Sequence, residues 1–238
     1  MADGWQDQVG QAGRRVGVPM AIGLAVLCGW SIAAGEAVTG PLETTVGRWD
    51  LELAQSLEAG RTSVLTRLTG AATVLADSVT VAVLWAAAVV VTAWRTKRWE
   101  LPSFFLCAIG GEKLTYLVTS LVVSRPRPPV EPLGHVFATH SWPSGHVGAA
   151  LTLYGGVALA VVVAGRRRGL GAALAVLAVV ATLVVAFSRC YRGHHYVSDV
   201  VWGALLGAAW LVLAWWAALR QRPASDPIDR SAPITTST

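Results

Sequence analysis

The chain has 238 residues, of which 54% are hydrophobic and only 14% charged, and its formal net charge is +5. A soluble domain carries about 25% charged residues, so this composition excludes an ordinary water-surrounded globule and predicts a surface that faces lipid. The basic residues stand in short clusters between apolar runs, a pattern that fits membrane orientation and not a groove for nucleic acid.

The first apolar run, 18–38, follows Arg14 and Arg15 and is long enough to span a bilayer. Small residues over Ala33–Ala37 loosely resemble a signal-peptide cleavage site, but the run is long for that purpose. Residues 41–70 then carry Leu42, Val46, Trp49, Leu53 and Leu57 at helical spacing. They predict a helix, either lying on the membrane surface or packed against the bundle. Five further apolar runs follow at 71–94, 101–123, 147–164, 170–187 and 199–219. Lipid offers backbone groups no partner and the runs lack period-two alternation, so all six spans are helices.

Orientation follows from charge. With six spans, Arg14 and Arg15 share a face with Arg95, Lys97 and Arg98, with Arg166, Arg167 and Arg168, and with Arg220 and Arg222. That face is cytoplasmic by the positive-inside rule, and Trp94, Trp99, Trp215 and Trp216 stand beside it as interfacial indoles. The predicted fold is all-α, a polytopic six-transmembrane-helix bundle with N and C termini cytoplasmic. A cytoplasmic segment 1–17 precedes a membrane domain 18–222, whose core motifs lie within 113–199. A polar tail, 223–238, is expected to be disordered.

Three segments rich in catalytic residue types emerge on the opposite, external face: Ser124-Arg125-Pro126-Arg127-Pro128, Trp142-Pro143-Ser144-Gly145-His146, and Ser188 through His195 to Asp199. Ser144 and Gly145 open an apolar helix, where free N–H groups and the helix dipole make an anion site. Arg127 and Arg189 supply planar forks suited to phosphate oxygens. Arg125 and Arg192, taken singly, read as arginines snorkelling to headgroups. His195 and Asp199 are four apart and share a helix face. The carboxylate can then hold one imidazole nitrogen and leave the other free to attack, while His146, on another helix, can act as general acid.

Two histidines and an aspartate can also bind metal, but His135 and His140 add no ligand at a metal-binding spacing. No metal and no cofactor is expected. Cys28, Cys107 and Cys190 give no disulfide framework, and Tyr196 stands where a Cys-x5-Arg loop starting at Cys190 needs arginine.

The three segments resemble the tripartite signature of the type-2 phosphatidic-acid phosphatase and vanadium haloperoxidase superfamily: Lys-x6-Arg-Pro, Pro-Ser-Gly-His and Ser-Arg-x5-His-x3-Asp. The second is complete as Pro143–His146 and the third as Ser188-Arg189 through His195 to Asp199, and the likeness covers roughly residues 70–219. The resemblance implies that His195 attacks phosphorus to form a phosphohistidine, that Asp199 orients His195, and that His146 protonates the leaving lipid oxygen. It also implies that Arg127, Arg189, Ser144 and the Gly145 amide hold the phosphoryl oxygens.

The first motif departs from the family pattern. Arg127 and Pro128 fit, but Ser120 stands where the family has lysine. Losing one charge-assisted contact costs about 2–4 kcal/mol of transition-state stabilisation. Arg125, in the same loop as Arg127, is the expected phosphate-binding substitute. Lys113 lies seven residues before Ser120, about 10 Å deeper along the helix, and is expected not to reach. With Glu112 it forms an intramembrane charged pair, either functional or structural.

The expected activity is a lipid phosphate or diphosphate phosphatase at the external face of a bacterial plasma membrane. Candidate substrates are an isoprenoid diphosphate, phosphatidate or phosphatidylglycerophosphate. The expected partners are that lipid and the surrounding membrane lipids, with no nucleic acid, and the sequence leaves the oligomeric state open. Two other functions use the same residues: phosphoryl or head-group transfer to an alcohol, and non-catalytic lipid binding or transport. Intact His146, His195 and Asp199 argue against the latter, as does the lack of internal repeats or interrupted spans.

Overall fold

The structure, a computed structural model, describes residues 2–97, 99–135, 140–165 and 168–220. Regular structure among these residues is helical: α1 (Ala2–Thr39), α2 (Arg48–Ala59), α3 (Ser63–Val74), α4 (Ser78–Thr96), α5 (Glu100–Val122), α6 (Gly145–Gly165), α7 (Arg168–Tyr191) and α8 (Val197–Ala214). Wider π-helical turns lead into α2 at Glu43–Gly47 and extend α8 over Trp215–Arg220. Six spans among the described residues are long and apolar enough to cross a membrane: Val16–Thr39, Ser63–Thr96, Glu100–Val122, Gly145–Val163, Arg168–Tyr191 and Val197–Leu219. The all-α, six-span fold expected from the sequence is the fold observed. The tail 223–238 lies outside the described residues, as do Arg98, Arg166, Arg167 and Arg222.

The second span is longer than its apolar run suggests, because α3 and α4 continue each other across a short break at Leu75–Asp77. Each half has its own cap. Thr62 Oγ1 accepts the Leu65 N–H at 3.2 Å, and Asp77 Oδ2 accepts the Val79 N–H at 3.2 Å. Segment 41–70 is therefore not one surface helix. Its first part becomes α2, which buries Asp50 and Ala54 and leaves Trp49 exposed; its last part starts α3.

Among the described residues the bundle has three apolar clusters, one of them formed by Val38, Val123 and Trp142. Away from the motifs, Phe104, Phe105 and Ile109 of α5 pack with Leu153 of α6 and Ala214 of α8. Nearer the motifs, Val147 and Ala150 of α6 pack with Val185 of α7 and Val200 of α8. Outward faces of the spans carry Val79, Val83, Val90, Val176, Leu177, Leu183 and Val212, all exposed, as lipid-facing positions require. α6 and α8 come close because small residues meet where they cross. A methyl group on Gly207 would lie 2.8 Å from the Gly148 carbonyl oxygen, and one on Gly203 would run into the Ser144 carbonyl. α1 reaches the same end, where Ser31 accepts both the Trp142 and Trp202 indole N–H groups at 2.9 Å, on its carbonyl and its hydroxyl respectively.

Candidate active site

At that end, α5 stops, α6 begins and α7 hands over to α8 through a short turn containing His194 and His195. His195 is buried, with Nδ1 2.7 Å from the Ser141 carbonyl oxygen and 3.5 Å from Asp199 Oδ2. A carbonyl only accepts, so Nδ1 carries the hydrogen and Nε2 keeps its lone pair. Burial first, then the positive charges of Arg189 and Arg127, hold the His195 pKa well below its ordinary 6.5. The ring is neutral at pH 7 and can act as a nucleophile.

Asp199 is anchored on several sides. Its Oδ2 accepts the Tyr196 N–H at 2.9 Å, the reach-back of an acidic residue in the first turn to the residue that starts the helix. Its Oδ1 takes the guanidinium of Arg125, and its backbone carbonyl accepts the Ser144 N–H at 3.1 Å. That last bond ties the first turn of α8 to the start of α6. Ser144 caps α6 through its carbonyl, which accepts the Gly148 N–H at 3.2 Å. Its hydroxyl, fully buried, has no hydrogen-bond partner among the described residues. Gly145 follows because a methyl there would lie 2.9 Å from the Tyr116 ring.

Arg189, at the end of α7, is buried as well. One terminal nitrogen is 2.7 Å from His194 Nδ1, while its Nε is unpartnered among the described residues. His194 Nε2 is 3.1 Å from the Leu133 carbonyl oxygen. Burial, then the charge of Arg189, pushes the His194 pKa down to about 4. The neutral ring accepts from Arg189 at Nδ1 and donates to Leu133 from Nε2. Arg127 joins the group by donating to the His194 carbonyl at 2.5 Å. An unsatisfied buried polar atom costs about 1–3 kcal/mol. Two such atoms are Ser144 Oγ, just before α6, and Arg189 Nε, near the end of α7. The sequence reading passed over His194, although its signal was visible as the doubled histidine in the third segment.

Three other placements correct the sequence reading, two of them arginines. Arg125 is not left for a phosphate. It is 4% exposed, shared between Asp199 and Asp50, bonded to Ser198 Oγ at 2.7 Å and stacked 4.2 Å from the Tyr196 ring centre. Asp50 sits 2.7 Å from Arg125 through Oδ2 and accepts the Ser198 N–H at 3.1 Å through Oδ1. This carboxylate comes from α2 and no motif points to it. Arg192 does not snorkel either; its Nη1 donates to the Thr66 carbonyl at 3.2 Å and its Nη2 to the Leu133 carbonyl at 2.7 Å.

Lys113, expected to lie too deep, does reach the site. Its Nζ donates to the Gly145 carbonyl at 2.7 Å and sits 3.4 Å from Glu112 Oε2. With His146, Gly145, Tyr116 and Ser78 it lines a cavity of about 280 Å³ between α4, α5 and the start of α6. Ser120, in the place of the family lysine, turns its hydroxyl to the Leu117 carbonyl at 3.0 Å.

The sequence profile of the PAP2 superfamily matches residues 101–223. Among solved structures, the first transmembrane PAP2 type phosphatidylglycerolphosphate phosphatase from Bacillus subtilis superposes with a TM-score of 0.70 at 23% identity, covering 85% of this chain and 98% of that one. LpxE from Aquifex aeolicus superposes with a TM-score of 0.55 at 21% identity, covering 70% of this chain and 94% of that one. At such identities these two likenesses establish the fold. No curated protein sequence matches the chain.

Proposed function

The chain belongs to the PAP2 superfamily, and from that premise we propose that this membrane phosphatase releases phosphate from a lipid phosphate or diphosphate through a phosphohistidine on His195. The observation that carries the proposal is the state of His195: Nδ1 is committed to the Ser141 carbonyl beside Asp199, which leaves the Nε2 lone pair for attack.

Nε2 bonds to phosphorus as the bond from phosphorus to the lipid oxygen breaks. His146 gives that oxygen a proton, then takes one from the water that cleaves the N–P bond and frees phosphate. Asp199 and Ser141 keep the proton on Nδ1 throughout. Arg127, Arg189, the Ser144 hydroxyl and the Gly145 amide receive the phosphoryl oxygens, and the gain is greatest as charge shifts in the transition state. The scheme uses no metal. Isoprenoid diphosphate, phosphatidate and phosphatidylglycerophosphate are the candidate substrates, and the solved Bacillus subtilis relative acts on phosphatidylglycerolphosphate. Arg95, Lys97 and Arg168 lie at the end opposite the motifs, which supports a cytoplasmic assignment for that end and an external site.

The test is phosphate release by purified protein in detergent from these three lipids, with chelator present. Release should survive chelation and vanish in His195→Ala. Phosphate release that persists without His195, or its absence from every lipid in folded protein, removes the proposal.

A further inference from the structure

Resting on that phosphatase reading, we infer that the substrate is a lipid diphosphate, with Lys113 holding the phosphate that stays on the lipid. The cavity beside Lys113 carries the inference. His146 lines it, whereas His195, Arg127 and Arg189 do not, so it opens on the His146 side of the reaction. In-line displacement puts the leaving group opposite the attacking nitrogen, and the proton donor must stand at the leaving oxygen. Whatever occupies this cavity is therefore the leaving group.

The lining shows what that group is. Lys113, Tyr116, Ser78 and the backbone of Gly145 form its polar part, and Val81, Trp85 and Ile109 its apolar part. Lys113 is partnered only in part: its side chain is 40% exposed against 1% for Glu112, and Glu112 Oε1 and Oε2 have no hydrogen-bond partner among the described residues. Glu112 is wedged under Gly148 of α6, so the ammonium leans out from the pair into the cavity. A cation within a span is costly and calls for a function.

A diacylglycerol or polyprenol leaving from a monophosphate ester gives that cation nothing to neutralise, and the phosphodiester of a departing phosphatidylglycerol stands a whole glycerol unit away from the breaking bond. A diphosphate leaves a charge beside that bond. The bond between the terminal phosphorus and the bridging oxygen breaks, and its electron pair stays on that oxygen, which becomes part of a lipid monophosphate. Nε2 of His195 takes the terminal phosphorus, His146 supplies the proton to the bridging oxygen, and Lys113 meets the single negative charge that the departing lipid monophosphate keeps. The first methylenes of the lipid then lie against Val81, Trp85 and Ile109. This also accounts for the serine at position 120: the lysine is moved two turns along α5, from the transferred phosphoryl group to the leaving one.

The test compares kcat/KM for phosphate release from an isoprenyl diphosphate and the isoprenyl monophosphate of the same chain length. The wild type should favour the diphosphate, and Lys113→Met should lower the diphosphate-to-monophosphate ratio by about tenfold or more, with Lys113→Arg regaining part of it. An unchanged ratio in Lys113→Met overturns the inference. A second measurement needs no variant: an isoprenyl methylenediphosphonate should inhibit the wild type about tenfold more tightly than the matching monophosphonate, and equal inhibition also overturns it. His195→Ala separates the two levels, since release that survives in it defeats the phosphatase reading itself, whatever the ratio.

Discussion

Replacing Asp50 by alanine tests whether the buried Arg125 is a structural cation or a phosphate ligand. Asp50 is 1% exposed and accepts from Arg125 Nη2, from the Ser198 N–H and from Ser198 Oγ. Removing one partner of a buried ion pair costs about 3–5 kcal/mol. Arg125 would still hold Asp199, which puts the pair at the low end of that range, while the orphaned Ser198 N–H adds about 1 kcal/mol. The sum, about 4 kcal/mol, lowers the Tm of a chain this size by roughly 8–16 °C. Arg125→Met should fall further, because it strips the cation from two buried carboxylates. Tryptophan fluorescence during heating in detergent reads both variants. A Tm within about 2 °C of wild type for Asp50→Ala, or slow phosphate release by Arg125→Met at unchanged Tm, refutes the reasoning, because the latter is the behaviour of a phosphate ligand.

The lowered His195 pKa gives a pH profile. In single-turnover experiments, phosphohistidine formation should stay flat as the pH falls through the ordinary histidine value of about 6.5; a midpoint there would mean a solvated ring. The same shift has a stability consequence with a definite sign. His194 and His195 take up protons less readily folded than unfolded, so stability should fall as the pH drops below about 6.5, and for His194 the loss continues to about 4. A Tm that rises on acidification would contradict this. Gly203→Ala puts a methyl group into the Ser144 carbonyl, an overpacking that costs about 1–3 kcal/mol. It should lower Tm and slow phosphate release together; a variant as stable and active as wild type would mean that α6 and α8 are not held this closely.

The parts of the molecule written as local pattern were legible in the sequence. Six apolar runs gave six spans, and two complete motifs put Ser144, His146, Arg189, His195 and Asp199 at one end of the bundle. Relations that depend on how helices are offset were not. Lys113 was ruled out by measuring along α5 from Ser120, as though each motif began at the same height. In fact α6 starts against the middle of α5, where Gly145 packs on Tyr116 and its carbonyl meets Lys113. Asp50 had no motif to announce it, since its partners Arg125 and Ser198 lie 75 and 148 residues away. Arg125 was misread for the same reason: spacing identifies its neighbours in the chain, not the carboxylates it will meet.

The division of labour among the arginines follows from where the acids lie. The proposed phosphate site needs cations whose charge is not already cancelled, yet the proposed orienting of His195 brings a carboxylate, Asp199, close by. The structure resolves that conflict by giving Asp199 a cation of its own. Arg125 lies between Asp199 and Asp50, so the two acids share one cation. Arg189 is paired instead with the neutral ring of His194, which fixes the guanidinium without cancelling its charge. The low His194 pKa belongs to the same design, because a protonated ring at that place would repel Arg189 and give up the bond that positions it. His194→Ala should therefore weaken phosphate binding through a displaced Arg189, raising KM more than it lowers kcat, whereas His194→Asn, which still offers an acceptor, should recover part of the loss. Equal kinetics in the two variants would mean that Arg189 is placed by its backbone alone.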